Sequence, residues 1–240
     1  MAAFPYDSLL VAAVRSQPQS IPEVLHVMRS IDVTCVEGDG LKWFNLLYLQ
    51  VTEAVQAHVG LGGFSDPRFL QALDVQFARL YFDALEATLR GAACPACWAA
   101  PLSVRSDARI ARIQFALAGV NAHINHDLPQ AIVQTARALG IVPAHETSQY
   151  DDFFAVDAIL DPLIEQARQT FHVRLLGDPM PIASHVENTL GAWGLTAARK
   201  NAWNNGEILF RLPDAPLAEA FLESLDGIAS FAGKALLVPA

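Results

Sequence analysis

Helical periodicity runs through almost the whole chain, and it constrains the fold more than any other feature of the sequence. Apolar side chains recur three and four residues apart, as they do between Trp43 and Val55 and between Phe69 and Ala84, whereas strict alternation of apolar and polar residues is almost absent. This spacing places one apolar stripe along each helix, and each stripe has to be buried against other helices. The sequence therefore predicts an all-α fold.

Capping residues, prolines and glycines divide this pattern into separate helices. Their positions predict a single-domain bundle of about eight helices over residues 1–240, a length that one hydrophobic core can serve. The predicted helices are Ile21–Ile31, Asp39 to about Gly60, Pro67 to about Gly91, a helix from about Ser106, a segment from Pro129 to about Gly140, Asp151 to about Arg174, Ile182 to about Phe210, and a last helix after Pro213.

The composition and net charge of the chain argue against some classes of binding partner. Apolar residues make up 52% of the chain and charged residues 17%, which indicates a packed core rather than disorder. The formal net charge of −9 argues against binding nucleic acid through its phosphates and against an anionic membrane surface. No stretch approaches the roughly 20 apolar residues of a membrane span, and no secretory signal is visible at the start. We expect a cytoplasmic protein whose partner is a small-molecule substrate.

The segment Asn121-Ala-His-Ile-Asn-His-Asp-Leu-Pro129 carries the densest group of chemically active side chains. With about 100° per residue and Val120 at the centre of the apolar stripe, His123 lies about 60° to one side and Asp127 about 20° to the same side. His123 and Asp127 are therefore predicted to face the core, one turn apart.

The other polar residues of this segment fall on different faces. Asn121 and Asn125 form a second pair one turn apart, on the opposite flank of the stripe. His126 lies about 120° from the centre, which predicts a position nearer the rim or a second partner helix.

Buried histidine and aspartate side chains are costly unless they are hydrogen-bonded, paired or bound to a metal. Three interpretations stay open. A divalent metal, zinc or iron, could be held by His123, Asp127, His126 and Asp152, because histidine and carboxylate one turn apart on a helix can bind one metal. The pair could instead act as a metal-free acid/base dyad, or the polar residues could form a network that locks helix packing.

Asp74 is the third candidate catalytic residue. It lies at the edge of the apolar stripe of its helix, where partial burial would raise the pKa of its carboxyl group and suit it as a base or ligand. The alternative is a carboxyl group that only hydrogen-bonds near Tyr81, seven residues on. The predicted substrate-binding residues are Asn121, Asn125, Tyr48, Tyr81 and Trp203.

Two further motifs have structural alternatives. Cys94-Pro-Ala-Cys97 has the spacing of a redox pair or half a zinc site, but the strand–helix context and a second cysteine pair are missing. We interpret it as a loop with two half-buried thiols. Arg199, Trp203 and Glu207 recur four residues apart, so they either line a pocket or tie two helices together.

Several segments together resemble an uncharacterised bacterial family, a domain of unknown function. They are Asp39–Tyr48, Leu73–Ala78, Asn121–Pro129 and Ala198–Trp203, and Asn121–Pro129 is the most specific. The resemblance covers most of the chain and implies no particular activity. The chain is more weakly similar to helical zinc phospholipases and nucleases, which also place histidine and aspartate one turn apart on a helix that runs towards a proline. It lacks their N-terminal tryptophan ligand and their number of histidines.

The functional expectation is a metal-dependent, hydrolase-like enzyme for a small molecule, with His123, Asp127 and Asp74 as catalytic residues. A metal-free enzyme that uses the His123–Asp127 pair as acid and base is the alternative. A binding or structural protein is the third.

Overall fold

The computed structural model describes residues 4–160, 162–163 and 194–239, and within these ranges the chain forms helices and no strand. The predicted all-α bundle is confirmed. No helix in these ranges is both long enough and apolar enough to cross a membrane. The helices are α1 (Asp7–Val14), α2 (Ile21–Thr34), α3 (Leu41–Gly60), α4 (Pro67–Leu89), α5 (Ala96–Ser103), α6 (Arg112–Ala122), α7 (Leu128–Leu139), α8 (Ser148–Ala155), α9 (Leu195–Arg211) and α10 (Ala215–Leu236), and a π turn (His123–Asp127) joins α6 to α7.

Local signals set several helix ends where the sequence places them. Asp66 caps α4, since its side chain accepts a hydrogen bond from the Phe69 amide at 3.0 Å, and Pro67 occupies the first helical position. Gly140 ends α7 in the left-handed conformation, with φ of 69°. Asp214 caps α10 through the Leu217 amide at 2.9 Å.

Two short helices and one helix start differ from the prediction. The short helices α1 and α5 were not predicted, because neither carries a long apolar stripe. The helix predicted from about Ser106 begins at Arg112, since Asp107 accepts a hydrogen bond from the Arg109 amide and holds the preceding residues in a turn. The predicted continuation of a helix to Arg174, and the part of the next helix before residue 194, lie outside the described residues.

The core consists of three neighbouring apolar clusters. The first is built mainly on α2, α3 and α4, the second on α4, α7, α8 and α9, and the third on α3, α6 and the end of α10. Phe77 on α4 and Val120 on α6 contact both the first and the second cluster. The predicted polar residues follow directly after Val120, so the fold places them where two clusters meet.

Gly119 allows α6 to approach α3 closely. A Cβ atom at this position would overlap Cγ of Phe44, far inside van der Waals contact. The missing side chain therefore lets the Phe44 ring pack directly on the α6 backbone, one turn before the π turn.

Candidate functional site

The helix that carries the predicted site changes its geometry at His123. The amide of Leu128 donates to the carbonyl of His123, five residues back, which is the hydrogen bond of a π turn. Pro129 explains this locally, because proline has no amide hydrogen and its ring collides with the carbonyl four residues before it, that of Asn125. A wider turn relieves that collision without ending the helix.

The π turn brings both histidines of the segment to the buried side. Each residue of a π turn advances less around the axis than in an α-helix, so positions after His123 do not follow the 100° rule. His123, His126 and Asp127 are 3%, 7% and 1% exposed. The prediction that His123 and Asp127 face inward agrees with this arrangement. Of the two positions predicted for His126, its burial favours the one against a second partner helix over the one near the rim, and a ring nitrogen of His126 lies within 4.8 Å of an Asp226 oxygen on α10.

Asp127 is the hub of the buried site. Its Oδ2 accepts hydrogen bonds from Nε1 of Trp98 and Nδ1 of His123, both at 2.9 Å, and its Oδ1 accepts from Nδ1 of His126 at 2.8 Å. Burial alone would raise the pKa of Asp127, but the hydrogen bonds from the two histidines hold it below its usual value. An ionised carboxylate only accepts, so both histidines carry a proton on Nδ1, the nitrogen that faces Asp127.

Aromatic rings fix the His123 imidazole from several sides. The ring stacks on Phe77 with centroids 3.4 Å apart and an interplanar angle of 7°, and Tyr48 lies 4.5 Å away. Burial lowers the pKa of His123, and Asp127 opposes this only in part. The ring is therefore neutral at neutral pH, and its Nε2 has no hydrogen-bond partner among the described residues.

His123 lines a cavity of about 180 Å³ between α3, α4, α6, α7 and α9. Its described lining residues include Leu160 and Leu195. Most lining side chains are apolar. Among the described residues, the polar ones are Tyr48, Asp74, His123 and Arg199.

The polar side chains that line the cavity differ in their charge and in their hydrogen-bond or ion-pair partners. Burial raises the pKa of Asp74 to about 7, and its Oδ2 has no partner within the described structure. Burial and the nearby Asp74 raise the pKa of Tyr48 well above its usual value, so its hydroxyl stays protonated. The positive charge of Arg199 is already paired, because its Nε donates to the Asp157 carboxylate at 2.5 Å. Its guanidinium also lies over the Phe153 ring.

The two asparagines of the segment connect helices and do not line the cavity. Nδ2 of Asn121 donates to the Ala229 carbonyl at 2.6 Å, and Nδ2 of Asn125 donates to Oδ1 of Asn121 at 3.0 Å. These hydrogen bonds tie α6 and the π turn to α10. The predicted role of both residues in substrate binding has no support from this position.

The other predicted site residues are dispersed. Tyr81 is fully buried with its hydroxyl 3.5 Å from Oδ1 of Asn45, and Trp203 donates to Glu207 at 2.9 Å; neither lines the cavity. Asp152 accepts hydrogen bonds from the amides of Ser65 and Asp66 and so fixes the chain before α4. It belongs to no close group of metal-binding side chains among the described residues.

Trp98 and Phe77 take part in the site although neither was among the predicted site residues. Trp98 lies on α5, in a segment interpreted as a loop, and its indole nitrogen reaches Asp127 from 29 positions away. Phe77 belongs to the apolar stripe of α4, and its stacking on His123 depends on how α4 packs against the π turn. No local sequence signal distinguishes either residue from an ordinary core aromatic.

These features define an all-α domain in which one buried aspartate binds two histidines beside an apolar cavity. Residues 21–239 match the model of a family of unknown function, DUF5995. The chain belongs to that family, so the resemblance stated from the sequence segments is confirmed. No curated protein and no solved structure matches the chain.

Proposed function

We propose that this protein is an acid–base enzyme that acts on small, uncharged and largely apolar molecules in the cavity beside His123. One observation carries the proposal. Nδ1 of His123 is bound to Asp127 at 2.9 Å, while Nε2 has no partner among the described residues and the ring lines the cavity. A neutral imidazole whose tautomer is fixed by a carboxylate is suited to general-base catalysis.

The cavity indicates the class of substrate. Its volume of about 180 Å³ compares with the roughly 150 Å³ of an apolar cavity that binds benzene. Arg199, the cation among the described lining residues, is already paired with Asp157, so an anionic substrate would have to compete for it. Small molecules with an apolar body and one carbonyl or hydroxyl group suit these walls best.

Hydrolysis of a small ester is the simplest reaction for these groups. A water molecule attacks the carbonyl carbon while Nε2 of His123 takes its proton. The carbonyl oxygen gains negative charge and accepts a hydrogen bond from protonated Asp74 or from the Tyr48 hydroxyl. When the tetrahedral intermediate collapses, the leaving oxygen takes the proton back from Nε2. Asp127 keeps the imidazolium oriented throughout.

Phenyl acetate is a suitable test substrate, because it is small and uncharged and releases phenol. The wild-type protein should hydrolyse it faster than the buffer does. His123→Gln should lower the enzymatic rate by roughly 10²–10⁴-fold, the usual contribution of a general base. His145→Gln is the matched control, since His145 is exposed and lies outside the cavity, and it should keep the wild-type rate.

Binding separates a catalytic role from a structural one. Phenol and toluene have nearly the same shape, but only phenol can donate a hydrogen bond to Nε2 of His123. The wild type should bind phenol several-fold more tightly than toluene, a preference that one net hydrogen bond can supply. His123→Gln should reduce that preference. Hydrolysis at the wild-type rate by folded His123→Gln would refute the proposal, and so would phenol binding without any turnover of a panel of small esters.

A further inference from the structure

Three metal-binding side chains meet on the other side of Asp127, away from the residues that line the cavity. They are Cys97 in the first turn of α5, His126 in the π turn and Asp226 on α10. One ligand atom of each, the Cys97 Sγ, a His126 ring nitrogen and an Asp226 carboxylate oxygen, lies within 4.8 Å of the other two. We infer that Cys97, His126 and Asp226 form a binding site for a divalent transition metal, with Zn²⁺ the cation that fits this donor set best.

The donor set favours zinc over harder cations. Zinc in proteins is bound by cysteine sulfur, histidine nitrogen and carboxylate oxygen, whereas Mg²⁺ and Ca²⁺ take oxygen ligands. Two ligands at 2.0–2.3 Å from a tetrahedral zinc ion lie about 3.5 Å apart, so closure requires side-chain shifts of about 1 Å. A thiolate and a carboxylate together neutralise the two charges of the ion, which removes the main penalty for burying it.

Asp127 supplies the outer support that such sites use. A histidine that binds a metal through one ring nitrogen usually donates its other N–H to a carboxylate or carbonyl. Nδ1 of His126 is bound to Oδ1 of Asp127 at 2.8 Å, which leaves the Nε2 lone pair for the metal. Gln130 lies 3.3 Å from that nitrogen, a long contact that a metal would replace.

Without a metal, the polar groups of this cluster have partners within the protein. The Cys97 Sγ lies within 4.8 Å of an Asp226 carboxylate oxygen, and the two Asp226 oxygens accept hydrogen bonds from the amides of Ala96 and Cys97 at 2.8 Å. A carboxylate oxygen has two lone pairs, so these amide bonds can persist when a metal binds. The metal replaces the thiol proton, which leaves to solvent, and affinity should fall as the pH is lowered.

Asp226 is the most exposed of the three ligands. Cys97 is fully buried and His126 is 7% exposed, whereas Asp226 is only partly buried. A cation can therefore enter past Asp226. Three protein ligands also leave a fourth position of the tetrahedron for water.

Metal binding by the purified full chain tests this inference directly. After treatment with a chelator, the protein should bind one equivalent of Zn²⁺, and Co²⁺ should give a thiolate-to-cobalt charge-transfer band. Cys97→Ser should abolish that band and weaken Zn²⁺ binding by roughly 100-fold or more, since it removes a direct ligand. Cys94→Ser is the matched control and should keep the band, because Cys94 is outside the three-residue group.

Further variants keep the test decisive if Cys97→Ser does not fold. Folding is checked by circular dichroism, and His126→Gln and Asp226→Asn should each weaken Zn²⁺ binding in a folded protein. The inference is overturned if the wild type binds no Zn²⁺, if Cys97→Ser keeps the charge-transfer band, or if Cys94→Ser loses it.

The metal site and the proposed acid–base function can be tested independently of each other. His123→Gln should bind Zn²⁺ like the wild type even though it loses ester hydrolysis, because His123 is not a ligand of the metal. Conversely, absence of Zn²⁺ binding by a wild-type protein that still hydrolyses phenyl acetate through His123 would overturn the metal site alone.

Discussion

Replacing Asp74 by asparagine should stabilise the protein at alkaline pH and have little effect at acid pH. Burial raises the pKa of Asp74 from 3.8 in the unfolded chain to about 7 in the folded one. The folded-state pKa is the higher of the two, so the protonated carboxyl group favours the folded state. The contribution of this group to stability is therefore greatest below about pH 3.8 and is lost as the pH rises through this window to about 7.

The magnitude follows from the two pKa values. At 1.36 kcal/mol per pKa unit, the cost of ionising this group in the folded state reaches about 4 kcal/mol above about pH 7. Only Oδ2 is fully enclosed, and the side chain borders the cavity, where water would solvate the charge. The asparagine side chain carries no charge, so we expect Asp74→Asn to gain about 2–4 kcal/mol at about pH 8 and about 1 kcal/mol or less at about pH 4.5.

Urea unfolding at both pH values, followed by circular dichroism, measures the difference. Asp83→Asn is the matched control, because Asp83 lies on the same helix but is exposed. It should change the free energy of unfolding little at either pH. The reasoning fails if Asp74→Asn changes stability equally at the two pH values, or if it lowers stability at about pH 8.

Three further outcomes are expected. As the pH is raised, the rate of phenyl acetate hydrolysis, corrected for the spontaneous reaction, should first rise as His123 loses its proton below its usual pKa of 6.5 and then fall as Asp74 ionises near pH 7. A rate that keeps rising above about pH 8 would contradict the acid role of Asp74. Gly119→Ala should lower the free energy of unfolding by about 1–3 kcal/mol in urea titrations, because the added methyl group overlaps the Phe44 side chain, and an unchanged midpoint would show that α6 and α3 are not so close. Asp214→Ala should cost about 1 kcal/mol by removing the cap of α10, measured in the same titration, and no loss would mean that the cap contributes nothing.

The sequence predicts the fold class because every long helix carries its own apolar stripe. It also predicts that His123 and Asp127 face inward, since both lie within about 60° of the stripe centre around the helix axis. It leaves His126 between the rim and a second partner helix, because the sequence does not show that the hydrogen bond from Leu128 to His123 changes the rotation per residue. Pro129 signals an irregularity there, but the proline alone does not tell a π turn from a kink or a new helix.

The long-range contacts of the site have no local signal. Trp98 reaches Asp127 across 29 positions, and the Cys97 amide reaches Asp226 across 129. Such pairs form only after α5, α6 and α10 have packed, so neither residue can be assigned from its own neighbourhood. The raised pKa of Asp74 agrees with the prediction from its place at the edge of a stripe, because desolvation depends mainly on burial.

The π turn also shows how this helix accommodates one extra residue. Each residue of the turn advances by less than the 100° of an α-helix, so the segment His123–Asp127 rotates the chain about as far as one residue fewer would in a regular α-helix. Removing one residue from the turn should therefore leave a regular α-helix in which α7 still packs against α4 and α9. The placement of the two histidines around Asp127 would be lost, so a family member that is one residue shorter in this segment should keep the fold but not the two-histidine arrangement.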